Sequence, residues 1–144
     1  MDKKQIELTS SMEDYLEAIA ALKKRNGIAR VRDLGVVMEV KNSSVNSALN
    51  CLAKMNLVVH EHYGHIDLTP EGEKIAQTIQ EKHDTLKDFL IEVLTLDEKN
   101  AEIDACNMEH AISQKTFKRL SAFIAAFNKC PYKTNSAVNC LKLK

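Results

Sequence analysis

The chain has 144 residues, of which 44% are hydrophobic and 28% are charged, and its formal net charge is zero. This length allows one core or two small ones and excludes separate large domains. No apolar run approaches ~18 residues, and Met1-Asp2-Lys3-Lys4 lacks the apolar core of a signal peptide, so we expect a cytoplasmic protein without membrane association. The four cysteines form no CxxC pair, so reduced thiols are expected, with Cys51 as a small core residue.

Three helices and a hairpin are predicted in the first half of the chain. Thr9-Ser10-Ser11 followed by Glu13 forms a capping box, after which apolar residues recur at helical spacing. We expect helices at about Ser10–Arg25, Val31–Met38 and Asn42–Met55. Two short β-type runs, residues 57–62 and 65–68, flank Tyr63-Gly64 and predict a hairpin. This order of elements is that of a winged helix-turn-helix.

The second half of the chain is predicted to be helical throughout. Thr69-Pro70-Glu71 opens a long helix of residues 70–94, with Thr as its cap and Pro in its first turn. Two more helices are expected at residues 98–112 and 113–127. Apolar residues stand at core spacing in the last of them, namely Phe117, Leu120, Ile124 and Phe127.

The predicted fold is therefore mainly α with a small β-hairpin wing. We expect a winged helix-turn-helix domain at residues 1–69 and a helical domain at residues 70–128, joined by the long helix. The tail at residues 129–144 carries Pro131 and scattered polar residues, so it is expected to be flexible.

The third predicted helix has one apolar and one polar face. Val45, Leu49 and Leu52 share the inner side, while short hydroxyl and amide side chains that can hydrogen-bond base edges share the outer side. Seven basic and two acidic residues lie between positions 23 and 54, although a solvated helix face is the simpler alternative. The residues expected to contact DNA are Arg30, Arg32, Lys41, Ser43, Ser44, Asn46, Ser47, Asn50 and Lys54.

Metal-ligating residue types recur at helical spacing in three segments. In Cys106-Asn107-Met108-Glu109-His110, a thiol, a carboxylate and an imidazole share one helix face and suit a first-row divalent ion. Asp14 and Glu17 share a face of the first helix, or form only an exposed acidic edge. His83 lies on the apolar stripe of the long helix, where a core histidine is the alternative. Six candidate ligands result: Asp14, Glu17, His83, Cys106, Glu109 and His110.

Four segments together resemble the diphtheria-toxin-repressor family of metal-dependent regulators, including its manganese-responsive branch. They are residues 8–19 (LTSSMEDYLEAI), Ser43-Ser44-Val45, residues 68–72 (LTPEG) and Cys106–His110. The resemblance spans about residues 8–128 and implies a winged helix joined to a helical dimerisation domain. It also implies a homodimer that binds a palindromic operator on double-stranded DNA when loaded with Fe2+ or Mn2+. Repression of metal-uptake genes is the expected consequence.

The resemblance also assigns the ligands, with a mixed result. Cys106 matches a cysteine ligand of iron-type members, and its soft thiolate favours Fe2+ over Mn2+, with one or two ions per subunit. Lys87 stands where iron-type members place a carboxylate of a second site, although Glu102 is nearby as a possible ancillary ligand. The SH3-like third domain of longer relatives is not expected. The positions that match ligands of manganese-type members are Asp14, Glu17, His83, Glu109 and His110.

Two other functions are compatible with parts of the pattern. A winged-helix regulator without metal would use Cys106, Glu109 and His110 merely as a helix face. A small metallohydrolase would use Glu109 as a base. The second alternative is disfavoured, since the sequence offers neither a glycine-rich loop nor an evident substrate pocket. We therefore expect no enzymatic activity and no small organic substrate.

For the metal-dependent regulator, we expect a bound metal ion to link the first helix to the long helix and the fifth helix.

Overall fold

The structure is a computed structural model that describes residues 8–60 and 64–130. Tyr63 of the predicted hairpin tip and nearly all of the predicted tail lie outside the described residues. The backbone divides into two compact units, Met1–Gln80 and Glu81–Lys144. Because this division falls inside a continuous helix, the domain limit predicted at residue 69 stays a prediction. In the described part of the chain, no helix is long and apolar enough to cross a membrane.

The described chain contains six helices and a small sheet, which confirms the mainly α fold with a β wing. The helices are α1 (Ser10–Asn26), α2 (Val31–Val37), α3 (Asn42–Lys54), α4 (Pro70–Glu92), α5 (Glu98–Ala111) and α6 (Gln114–Lys129). The strands are β1 (Ala29–Arg30), β2 (Val58–His60) and β3 (His65–Leu68).

Helix α1 begins and ends where its capping residues place it. The Thr9 hydroxyl accepts a hydrogen bond from the backbone N–H of Met12 at 3.3 Å, as an N-cap residue does. At the other end Gly27 adopts φ 75°, and its N–H donates to the Lys23 carbonyl. Glycine takes this left-handed conformation at little steric cost, so the chain leaves the helix there.

The sheet is antiparallel, with strand order β1-β3-β2. Val58 pairs with Leu68 and His60 with Ile66, so the two predicted β-type runs are neighbouring antiparallel strands. Strand β1 was not predicted: Ala29 pairs with Ile66 across the far edge of β3. Two residues are too few to show a strand's alternation in a sequence.

The N-terminal unit is built around an apolar core that α1, α3 and the sheet share. Leu16 and Ile19 of α1 and the predicted inner residues of α3, Val45, Leu49 and Leu52, are all 0% exposed. Cys51 was expected in this core, and that expectation is wrong. It is exposed because it lies between Leu49 and Leu52 in sequence but on the opposite side of the helix.

The start of α4 is held against the end of α3 by a compact set of hydrogen bonds. The Thr69 hydroxyl donates to the Asn56 carbonyl at 2.8 Å and accepts from the Gly72 N–H at 3.1 Å. A Cβ added at Gly72 would lie 2.0 Å from the Leu57 carbonyl oxygen. Only glycine fits this position, because any other residue would clash with fixed backbone.

The C-terminal unit has a smaller core. Leu86 and Leu90 of α4 pack with Ala101 and Ala105 of α5, and half-buried residues such as Leu120 surround them. Helix α6 was predicted to be a core helix, yet none of its residues is buried, and Phe123 is 52% exposed. Phe123 contacts Phe89 and Phe127, but among the described residues no element of this unit buries these rings.

Candidate metal centre

His83 is the buried centre of a polar cluster in the C-terminal unit. It precedes Leu86 by three residues and Leu90 by seven, so the three side chains share one face of α4. The sequence prediction that His83 falls on the apolar stripe agrees with its exposure of only 5%. A buried imidazole requires polar partners for both ring nitrogens.

Helix α5 supplies those partners because two small residues let it approach α4 closely. Ala101 and Ala105 are both fully buried, and the residues that follow each of them by one position are Glu102 and Cys106. The helix starts at a defined residue, since the Asp97 side chain accepts from the Asn100 N–H at 3.1 Å. The register of α5 against α4 therefore fixes which donor atoms reach His83.

Three side chains of α5 contact the His83 ring. Nδ1 lies 2.8 Å from Glu109 Oε2 and 3.7 Å from Cys106 Sγ, and Nε2 lies 3.1 Å from Glu102 Oε1. His83, Glu102 and Cys106 each have a donor atom within 4.8 Å of the others. Thiolate, imidazole and carboxylate together suit Fe2+, Co2+ or Zn2+ better than Mg2+ or Ca2+.

Glu109 is the most deeply buried acid of the cluster, with 2% exposure. Besides His83, its carboxylate faces His110, whose Nε2 lies 3.2 Å from Oε1. Its main-chain carbonyl accepts a hydrogen bond from Lys82 Nζ at 2.9 Å. A buried carboxylate between two imidazoles is an arrangement that could hold a metal ion, because an ion would supply the positive charge that a buried carboxylate needs.

The electrostatics of the cluster favour positive charge at its centre. Burial lowers the pKa of His83, but hydrogen bonding to Glu109 and the nearby charge of Glu102 outweigh it, so the pKa is raised overall. The pKa of Glu102 is lowered, chiefly by its hydrogen bond from Lys87. Carboxylates that could ligate a divalent cation thus stabilise a proton on His83 and the ammonium group of Lys87.

The other two predicted ligands belong to the N-terminal unit. Asp14 and Glu17 lie three residues apart on α1, and both are half-buried. The structure therefore brings together His83, Cys106, Glu109, His110 and the predicted ancillary residue Glu102. Lys87 also joins the cluster, and its contact with Glu102 was not predicted.

All nine residues predicted to contact DNA are exposed, on α3 and the segment from β1 to the start of α3. Ser43, Asn46 and Asn50 are exposed on α3, whereas Val45 and Leu49 between them are fully buried. Arg30 and Arg32 flank the first residue of α2 and are exposed as well. The unit therefore presents one polar helix face with basic groups beside it, as a DNA-reading helix does.

Two family models match the chain in succession. "Iron dependent repressor, N-terminal DNA binding domain" matches residues 7–66, and "Iron dependent repressor, metal binding and dimerisation domain" matches residues 69–136. Together they account for nearly all of the described residues.

Individual relatives give the same result. An uncharacterised helix-turn-helix transcriptional regulator of Methanocaldococcus jannaschii is 38% identical over 121 residues, which cover 83% of this chain and 97% of that protein. The transcriptional regulator MntR of Shouchella clausii is 35% identical over 121 residues, which cover 84% of each chain. A solved manganese-dependent transcriptional repressor in complex with manganese superposes with a TM-score of 0.73 at 25% identity. That match covers 79% of this chain, which spans about half (52%) of the solved one.

Proposed function

Because the chain belongs to the iron-dependent repressor family, we propose that it is a transcriptional repressor that binds operator DNA when loaded with Fe2+ or Mn2+. The genes of metal uptake are its proposed targets. Members of the family are transcriptional regulators, so the chain is not an enzyme and the metallohydrolase alternative is set aside. The observation that carries the proposal is the convergence of Glu102, Cys106 and Glu109 on the buried His83.

The proposed ligands are Asp14, Glu17, His83, Cys106, Glu109 and His110, with Glu102 as an ancillary residue. Asp14 and Glu17 are included on sequence grounds, from their spacing on α1 and their match to the ligands of manganese-type relatives. In the proposed mechanism, metal links α1 to α4 and α5 and favours the DNA-competent form of the protein. A coupling free energy of ~1–3 kcal/mol between metal and DNA binding would change operator affinity about 5–150-fold.

We propose Fe2+ rather than Mn2+ as the preferred ion because Cys106 offers a thiolate. Thiolate donors increase affinity for Fe2+ and later metals more than for Mn2+, whereas carboxylates suit Mn2+ well. By the family resemblance a glutamate is expected at this position in manganese-type members, so the variant Cys106→Glu is a direct test. Under anaerobic conditions, we expect the wild type to require less free Fe2+ than free Mn2+ for half-maximal operator binding. Cys106→Glu should reverse this order.

A homodimer on a palindromic operator is the proposed assembly. Helix α6 leaves apolar side chains such as Phe123 exposed, and Ile103 on α5 is 50% exposed as well. Exposed apolar residues on adjoining helices are typical of a subunit interface. Two identical winged helices would then reach successive half-sites, and a two-fold protein matches a two-fold operator.

The central test is metal-stimulated DNA binding by a variant that lacks the buried carboxylate. An operator is first selected from a random duplex library with the Fe2+-loaded protein, and affinity is then measured by fluorescence anisotropy with and without metal. We expect Glu109→Gln to lose most of the metal stimulation. Asp104→Asn is the matched control, since it removes an exposed carboxylate from the same helix. Full stimulation in Glu109→Gln would refute the proposal.

The DNA face has a separate test. We expect Asn46→Ala and Asn50→Ala to reduce discrimination between the selected operator and random DNA, because these side chains face outward at the centre of α3. Arg32→Gln should weaken binding to both DNAs alike and reduce its salt dependence, as loss of a phosphate contact does. A variant at Asn46 or Asn50 with unchanged discrimination would argue against α3 as the reading helix.

A further inference from the structure

Lys87 occupies the carboxylate side of the metal-ligand cluster in the C-terminal unit. It follows His83 by four residues, so both side chains project from one face of α4. Its Nζ lies 2.9 Å from Glu102 Oε2 and 3.3 Å from Glu98 Oε1. Glu98 and Glu102 are likewise four residues apart on α5, so the ammonium bridges two carboxylates on successive turns.

The two oxygens of Glu102 are divided between different partners. Oε1 lies 3.1 Å from His83 Nε2, whereas Oε2 lies 2.9 Å from the Lys87 ammonium. Glu102 is also the carboxylate donor in the cluster with His83 and Cys106, whose donor atoms all lie within 4.8 Å. One carboxylate therefore serves both an ammonium group and a candidate metal position.

An ammonium group and a divalent ion that bind the same carboxylate destabilise each other. Both are attracted to the same carboxylate charge, and they repel each other at contact distances. The Lys87 side chain is only 24% exposed while it is paired, yet its flexible stem lets the charged end move into water. Metal binding through Glu102 would therefore displace Lys87.

We propose that Lys87 is a tethered competitor for metal at the His83–Glu102–Cys106 cluster and thereby raises the free-ion concentration at which the cluster fills. The inference rests on the proposed function, because it takes this cluster as a place where a divalent ion binds. It concerns how readily the ion binds rather than which residues hold it. A lysine that only joined α4 to α5 would affect stability and leave metal affinity unchanged.

Cobalt provides the test, because a thiolate bound to Co2+ gives a charge-transfer absorption band that reports Cys106 directly. The full chain, freed of metal, is titrated with Co2+ under anaerobic conditions. The comparison is a double-mutant cycle of wild type, Lys87→Met, Glu102→Gln and the double variant. Lys99→Met is the matched control, since Lys99 is exposed on α5 three residues before Glu102 and its loss changes the net charge equally. Cys106→Ser identifies the band.

We expect Lys87→Met to increase Co2+ affinity about tenfold, because it removes a positive charge beside the ion and releases Glu102. Lys87→Arg should keep the wild-type affinity within about threefold, because it retains the competing charge. In the Glu102→Gln background, loss of Lys87 should change affinity less than about twofold, since the shared carboxylate is gone. Lys99→Met should also change it less than about twofold, because an exposed charge is screened by water.

Several outcomes would overturn the inference: equal Co2+ affinity in wild type and Lys87→Met, an equal gain in Lys99→Met, or an undiminished gain without Glu102. Absence of the thiolate band in every variant would overturn it as well. Metal-stimulated operator binding is measured on the same preparations. If metal stimulates operator binding but Lys87 and Glu102 show no coupling in Co2+ affinity, only the role of Lys87 is refuted. If the two residues are coupled but metal does not stimulate operator binding, only the proposed function is refuted.

Discussion

The two compact units of this chain have different interiors. Among the described residues, the buried apolar cluster of the N-terminal unit contains fifteen residues from Tyr15 to Ala76, and the buried polar residue of this unit is the uncharged Thr69. That of the C-terminal unit contains four, Leu86, Leu90, Ala101 and Ala105, beside the buried His83 and Glu109. Apolar burial stabilises at about 25 cal/mol per Å2, whereas buried charges cost free energy unless they are paired. The N-terminal unit should therefore be stable by packing alone, and the C-terminal unit should depend on what binds its polar cluster.

The largest expected effect tests the N-terminal side of this comparison. Leu49 is fully buried at the centre of α3, so Leu49→Ala should lower the free energy of unfolding by about 2–5 kcal/mol. The loss should be the same with excess Mn2+ and with chelator, because no candidate ligand belongs to this core. Urea unfolding under both conditions measures it. Ala53→Ser, an exposed substitution on the same helix, should change stability little. A loss that Mn2+ abolished would contradict the assignment.

The second prediction concerns the stability that metal binding adds to the C-terminal unit. Metal at one hundred times its dissociation constant should stabilise the folded state by about 2.7 kcal/mol, since it binds only there. On metal loading, amide hydrogen exchange should slow most in α5, around Cys106 and Glu109, and less in α3. The Glu109→Gln variant should show no such slowing. If metal slowed amide exchange equally in α3 and α5, the two units would not differ in their dependence on metal.

The third prediction tests how strictly α4 is fixed at its start. Gly72→Ala places a methyl group against the Leu57 carbonyl, so either strand β2 or α4 must shift. We expect a loss of about 1–3 kcal/mol, the usual range for overpacking. Lys74→Ala is the control, because Lys74 is exposed one half-turn further along the same helix. Thermal unfolding of the two variants should differ clearly, and a Gly72→Ala variant as stable as Lys74→Ala would contradict the close approach.

Local signals in the sequence were sufficient for most of the fold. Thr9 predicted the start of α1, Asn26-Gly27 predicted its end, and Thr69-Pro70 predicted the start of α4, because caps act within one turn. Strand β1 was missed because its pairing partner, Ile66, lies far along the chain. Core spacing on α6 predicted burial that the described residues do not provide, since periodicity identifies an apolar face without identifying what covers it.

The candidate site was predictable only in part for a similar reason. Spacing of three and four residues put Cys106, Glu109 and His110 on one face, and the apolar stripe put His83 inside. Contact between α4 and α5 depends on the buried Ala101 and Ala105, and sequence spacing does not give the register between two helices. The bridge from Lys87 to Glu102 follows from that register, so the sequence did not predict it. The residues of α3 that are proposed to contact DNA needed only the periodicity of that helix, which predicted the face they share.

The smallest expected effect on stability comes from an exposed ion pair in the N-terminal unit, which contrasts with the buried charges of the C-terminal unit. Lys23 Nζ lies 2.9 Å from Asp67 Oδ1 and 3.7 Å from Glu73 Oε1, both largely exposed carboxylates. Because exposed ion pairs contribute little, Lys23→Met should cost only about 0.2–1 kcal/mol near neutral pH, and less at high salt. Lys24→Met, at an exposed neighbouring position, is the control.

The pH dependence of that small effect has a definite sign. The hydrogen bond to Asp67, opposed by burial and assisted by the charges of Asp67 and Glu73, raises the pKa of Lys23 above its ordinary value of 10.5. Its stabilising contribution is therefore fully present below pH 10.5 and is lost as pH rises through the higher folded-state pKa. The difference in unfolding free energy between wild type and Lys23→Met, measured by urea titration at increasing pH, should shrink in that window. A difference that stayed constant over this pH range would mean that Lys23 stabilises through the packing of its aliphatic side chain rather than through its charge. Apolar contact would then stabilise the surface of the N-terminal unit as well as its core.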